Sequence, residues 1–219
     1  MLKTADLYDL SHTLAAGYLD GFEYPWQALK GIKDLILTLG QSLGNGYREV
    51  APSVWVHETA TVAPTAFLGA PCIIGAGTEV RHCAFIRGSA LVGENCVVGN
   101  SVELKNVILF DNVQVPHYNY VGDSILGYKA HMGAGSVTSN VKSDKTLVVV
   151  KSSDEQIPTG LKKFGAMLGD CVEVGCNSVL NPGTVIGRNS NVYPTSCVRG
   201  VIAADSIWKN DGTVVKKRK

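Results

Sequence analysis

The chain has 219 residues, enough for one large domain or a domain with an appendage and too few for two independent enzymes. With 45% apolar residues, 18% charged residues and a mean hydropathy of +0.11, it can bury a substantial core and is not a disordered polymer. A net charge of +1 supplies no field for nucleic acid or an anionic membrane, and the opening MLKTADLYDL lacks a signal peptide's basic flank and apolar block, so a cytoplasmic protein is expected.

Residues 1–49 hold ten leucines and no valine, whereas residues 50–219 hold 27 valines and nine leucines. That switch marks a domain boundary. In the first part Leu7, Leu10, Leu14 and Tyr18 recur at helical spacing, with Thr4 as N-cap, and Leu29, Ile32, Ile36, Leu39 and Leu43 form a second stripe behind Pro25 and Trp26. The spacing predicts a helical pair over 1–49.

From Val56 the aliphatic residues fall every six positions: Val56, Val62, Leu68, Ile74, Val80, Ile86, Val92, Val98, Leu104 and Phe110. The beat resumes at Leu126 and Met132, and again from Leu168 to Val198. A six-residue period fits neither an isolated helix nor a meander; it is the signature of a hexapeptide β-helix, in which three hexads make one coil and residues 18 apart stack about 4.8 Å from each other. A solenoid needs covered ends, so the helices of 1–49 are expected to cap residues 50–208, with 209–219 as a solvated basic tail. The six cysteines show no zinc spacing and read as reduced and mostly buried.

Function in a regular solenoid tends to sit where regularity fails. The beat contracts to five residues within Pro116–Asp123, and residues 141–166 abandon it, reading as a protruding hairpin with Thr146–Lys151 as a strand and Ser152–Asp154 as its turn.

The repeat resembles the left-handed hexapeptide-repeat proteins. The segment ELKN…VPHYNYVGDSILGYKAHMGAGSVTSN, with FIRG upstream, resembles the acetyltransferase domain of bifunctional glucosamine-1-phosphate acetyltransferase/N-acetylglucosamine-1-phosphate uridyltransferase. The insertion and the TGLKKFGAMLGD after it look closer to archaeal sugar-1-phosphate nucleotidyltransferases with the same C-terminal β-helix. The resemblance covers about residues 54–200. It implies a mainly β fold, a left-handed parallel β-helix behind a short helical cap that stands where the family has its pyrophosphorylase domain, and assembly as a homotrimer. Leu14-Ala-Ala-Gly17 matches the start of that domain's phosphate loop but lacks its second glycine and arginine, so it reads as helix.

Carried over by position, the resemblance implies that Arg87 and Lys105, one coil apart, hold the sugar phosphate; that His117 is the catalytic base; that Tyr120 touches the sugar; and that Asn140 lies near amine and coenzyme. Glu103 would orient His117 or neutralise Lys105. Lys145 and Lys163 flank the insertion and are expected to reach a phosphate of the sugar or the coenzyme. Gly133 and Ala134, with Cys176 in place of a serine, are expected along the coenzyme. His131 stands where the bacterial enzymes have a sugar-binding asparagine, Val141 replaces a tyrosine and Pro116 a glycine, which puts the sugar specificity in question.

The implied reaction is acetyl transfer from acetyl-CoA, as co-substrate and without a metal, to an amino-sugar 1-phosphate. An ammonium must lose its proton before attacking a thioester, and imidazole exchanges protons near neutrality. Backbone N–H groups of Gly133–Gly135 are candidate oxyanion donors. Two other readings remain: a non-catalytic β-helix that binds a nucleotide sugar or serves as scaffold, and a carbonic anhydrase of the γ class. His82, His117 and His131 lack that class's pair of histidines five residues apart, which argues against it.

Overall fold

A strand of two or three residues cannot bury a face alone, and stacking many of them is what closes this core. In the computed structural model, which describes residues 1–218, three columns of parallel strands run the length of a β-helix. The first face carries Val54–His57, Cys72–Ile74 and Ala90–Val92, and the second starts with Thr61–Val62, Glu79–Val80 and Val97–Asn100. The third starts with Phe67–Leu68 and Phe85–Ile86. Val54 pairs with Cys72 and Cys72 with Ala90, the expected step of 18. The inward residues Ile74, Val80, Ile86, Val92, Val98 and Leu104 are buried, and each closes one side of the prism.

The beat shortens twice, once ahead of the expected segment, at Asn106, and once at that segment's end, at Asp123. Ala90 pairs with Val107 and Glu103 with Tyr120, steps of 17, because Glu103–Leu109 and Tyr120–Leu126 each run through a corner as one seven-residue strand. Leu109 therefore takes the interior place expected of Phe110. Phe110 falls one position on and packs against Tyr8, with ring centroids 5.0 Å apart. At the two tight corners single residues, Asn106 and Asp123, adopt positive φ of 56° and 49°. Asparagine and aspartate are the side chains that best tolerate that conformation after glycine.

The outward residues distinguish the faces. On the first face Trp55, Ile73, Leu91, Ile108, Ile125, Met167 and Val185 stack in register and are all buried. On the second, Glu79, Gln114, His131, Glu173 and Asn191 meet solvent. On the third, Phe67, Phe85 and Val179 are large, apolar and exposed.

Residues 1–40 cover the first face. They form short helical pieces, Thr4–Leu7, Leu10–His12, Ala16–Leu19, Pro25–Gly31 and Ile32–Gly40, instead of the two helices expected, with extended residues at Tyr8 and Asp9 breaking the first stripe. Nor do they cap an end. They run along the side, tied by Asp170 N–H to Leu7 O (3.0 Å), Asp9 N–H to Asp170 Oδ2 (2.7 Å), Asp111 N–H to His12 O (3.0 Å) and Asn106 Nδ2 to Leu29 O (3.2 Å). The apolar column is the reason, since lateral burial of seven large side chains outweighs covering one narrow coil. At the N-terminal end the edge of Val54–His57 is instead paired by the antiparallel strand Tyr47–Ala51, and Val56, Val62 and Leu68 stay only partly buried.

Beyond Asn140 the chain leaves the coil, forms the antiparallel pair Val149–Lys151 and Gln156–Pro158, and returns at Ala166–Leu168. Of the expected Thr146–Lys151 strand, Val149–Lys151 pair in the ladder and Val148 bonds to Leu161 O and Thr159 N–H, while Asp144 turns the chain at Thr146 by accepting from both its N–H and its hydroxyl. The basic tail is also not free: Val214–Lys216 pairs with Ser206–Trp208, closing the last coil's edge, and Lys219 lies outside the described residues. Of the six cysteines only Cys72 and Cys96 are buried; Cys83, Cys176 and Cys197 are exposed. Exposed cysteines occupy turns and outward positions that a count of spacings does not reveal.

Candidate active site at two edges of the third face

Two clusters form, one on each edge of the third face. The first is built by the tight corners. Asp123, 3% exposed, accepts from Lys105 Nζ (2.8 Å), Asn106 Nδ2 (3.0 Å) and Asn140 Nδ2. Asn140 Nδ2 also reaches Tyr120 Oη at 3.1 Å. Gly122 makes this possible, since a Cβ there would meet the Tyr120 ring and lie 3.0 Å from Asn140 Nδ2. Burial, then the negative charges of Asp123 and Glu103, push the Tyr120 phenol above its ordinary pKa, so it is a hydrogen-bonding group and not a phenolate.

Asp123 was not singled out by sequence. Its signal is a lone charged side chain in the stretch Val121–Leu126, whose other residues are aliphatic or small, where burial requires donors. Beside it opens a cavity of about 360 Å³, lined by Lys105, Asn106, Asp123 and Ser89 of the coils, Leu161 and Lys163 of the returning insertion, and Leu29 and Lys30 of the helical segment. Of the two phosphates Lys163 was expected to reach, its place beside Lys105 fits the sugar's and not the coenzyme's. Lys145 lies in an exposed turn, its N–H bonded to Lys142 O, and lines neither this cavity nor the next.

Arg87 stands one coil below Lys105 but outside this cavity. Its Nη1 is 2.8 Å from Glu103 Oε1, a contact that raises the guanidinium pKa further. Glu103 therefore pairs with Arg87 and neither orients His117 nor neutralises Lys105. The expected cationic clamp carries two carboxylate partners.

The second cluster is the opposite corner. His117 ends the strand Gln114–His117 and is exposed, and its imidazole has no hydrogen-bond partner among the described residues. Its backbone is fixed instead. Asn119, 2% exposed, accepts from His117 N–H (3.1 Å) and donates to Gly133 O (2.8 Å), and Gly135 N–H donates to His117 O (3.0 Å). Gly133 N–H is used by Val174 O, so of the Gly133–Gly135 turn only the Ala134 N–H has no acceptor among the described residues. Cys176 stacks above: a Cβ on Gly133 would lie 3.0 Å from its Sγ, so Gly133 is required for close coil stacking. Gly133, Ala134, Cys176 and His117 are therefore neighbours.

His131 is not part of either cluster. It points from the second face, its Nδ1 2.7 Å from Glu173 Oε2. His82 hydrogen-bonds Thr65 Oγ1 (2.9 Å), and no group of three or more His, Cys, Asp or Glu able to hold a metal occurs among the described residues. A larger cavity of about 470 Å³ lies between the insertion and the last coils, with Lys142, Lys151, Asn181 and Arg199 in its walls.

Residues 80–203 match the family model described as the GMPPB C-terminal domain, more than half of the chain. The chain belongs to this family. Similarity extends to the bifunctional protein GlmU of Methanococcus maripaludis strain S2, 30% identical over 208 residues, covering 93% of this chain and 50% of that protein. The bifunctional sugar-1-phosphate nucleotidylyltransferase/acetyltransferase of Sulfurisphaera tokodaii is 28% identical over 197 residues, covering 88% of this chain and 49% of that protein. The chain spans about half the length of these curated relatives. A crystal structure of a variant of AntD, an N-acyltransferase from Bacillus cereus, in complex with dTDP and coenzyme A, is similar at 18% identity and a TM-score of 0.37, covering 75% of this chain and 83% of that one.

Proposed function

We propose that the chain is an acetyl-CoA-dependent N-acetyltransferase acting on an amino-sugar 1-phosphate of the glucosamine-1-phosphate kind. The observation that carries this reading is that one face bears a free, backbone-fixed imidazole at His117 on one edge and a polar pocket around Asp123 on the other, in a chain similar to bifunctional sugar-1-phosphate nucleotidylyltransferase/acetyltransferases. His117 takes one proton from the substrate ammonium, the amine attacks the thioester carbonyl, the tetrahedral oxyanion meets the Ala134 N–H, and collapse expels the coenzyme A thiolate, which takes the second proton of the nitrogen and leaves as the thiol. Tyr120 and Asn140 hold the sugar, and Asn140 is in turn held by Asp123.

Within one chain the two clusters lie on opposite edges of the third face. The reading therefore includes a homotrimer in which the His117 edge of one copy meets the Asp123 edge of the next. The exposed Phe67 and Phe85, stacked in register on that face, and the exposed Val179 farther along it support it, because large apolar side chains on a solvated sheet are the usual mark of an assembly surface.

The test is thiol release from acetyl-CoA with a panel of amino-sugar 1-phosphates. His117→Ala is expected to lower kcat at least about a hundredfold with intact binding; full activity in that variant removes His117 as the base. A second reading, a nucleotide-sugar-binding or scaffold β-helix without turnover, is favoured by one observation: Arg87 and Lys105 are each already paired with a carboxylate. Sugar-phosphate binding with no coenzyme-dependent turnover in wild type would select it.

A further inference from the structure

The cations expected to hold the phosphate carry no surplus charge. Arg87 with Glu103 and Lys105 with Asp123 sum to zero, and Arg87 stands outside the cavity. A phosphate monoester brings a charge of about −2 near neutrality. Two other cations line the same cavity: Lys30, from the Pro25–Gly31 helical turn, and Lys163, from the end of the insertion. Both are exposed, and neither forms a salt bridge among the described residues. They are 133 positions apart in sequence and meet only because the helical segment lies along the first face while the insertion returns beside it. The segment is anchored at that point, since Asn106 Nδ2 donates both to Leu29 O and to Asp123.

We propose that Lys30 and Lys163 are the phosphate-binding pair of the acceptor pocket, and that the N-terminal helical segment is thereby part of the binding site and not only a cover for apolar side chains. This deepens the transferase reading, from which the sugar phosphate as ligand is taken. Lys105 then serves to hold Asp123 in place, and Asp123 in turn aligns Asn140. The bound anion is a phosphate monoester, with the sugar extending toward Tyr120 and Asn140.

The experiment is calorimetric titration of the full chain with inorganic phosphate, with glucosamine-1-phosphate and with glucosamine. Lys30→Ala and Lys163→Ala are each expected to weaken both phosphate ligands about tenfold, Lys30→Arg to restore them, and Arg87→Ala to change them less than about threefold. Glucosamine itself should respond to none of these. In turnover Lys30→Ala raises KM about tenfold and leaves kcat within about threefold. Wild-type phosphate affinity in Lys30→Ala overturns the proposal, as does no detectable phosphate binding by wild type or an equal loss for glucosamine. Lys30-dependent phosphate binding without thiol release from any amino-sugar phosphate supports the anion site and rejects the transferase reading, so the two fail separately.

Discussion

Asp123 organises the acceptor edge because a buried carboxylate is tolerated only when fully supplied with donors, and here three side chains supply it. Removing it leaves the quarter-exposed Lys105 ammonium without its counter-charge. Asp123→Ala is therefore expected to destabilise the fold by about 3 kcal/mol and to abolish sugar-phosphate binding, while Asp123→Asn keeps the fold and loses most of the binding; urea titration and calorimetry check both. Cys197 makes a second residue-scale prediction. Asn181 Nδ2 at 3.2 Å, then Arg199 Nη2 at 3.8 Å, stabilise its thiolate and lower its pKa below the usual thiol value. Its alkylation by iodoacetamide should accordingly reach half-maximal rate at a lower pH than an ordinary thiol requires, and Asn181→Ala should move the profile upward.

At the scale of elements, the two seven-residue strands and the outward apolar column matter most. The column repeats once per coil, every third hexad, and was present in the sequence as Trp55, Ile73, Leu91 and Ile108, but a six-residue reading tests the inward positions and passes over it. Its burial, and not end-capping, is what holds residues 1–40. Ile108→Ala, beneath the helical segment, should cost about 2–4 kcal/mol in chemical unfolding, against less than about 1 kcal/mol for Val97→Ala on the solvent-facing second face. Equal losses at the two positions would contradict a buried helix–sheet interface.

For the whole molecule, the separation of His117 from the Asp123 cluster makes assembly testable through activity. Neither His117→Ala nor Asn140→Ala alone should turn over. Unfolded together and refolded as a mixture, they should recover about a quarter of wild-type activity, because a site shared between copies draws each intact residue with a chance of one half. No recovery from mixed oligomers would place the whole site within one chain. Among the described residues no helix is long and apolar enough to cross a membrane.

The sequence by itself determined the coil. Inward side chains report directly on a six-residue period, since each must fill the same narrow prism, and the residues of the motif around His117 and Asn140 could be read from their order alone. What only the tertiary structure decided was everything set by contacts across many coils. Glu103 chose Arg87, Asp123 gathered Lys105, Asn106 and Asn140, His131 turned to the second face, and Lys30 came beside Lys163. Those outcomes depend on where the two shortened corners fall and on which face the helical segment covers. A one-residue change in coil length turns a side chain from interior to corner, so small local differences fix which distant charges meet.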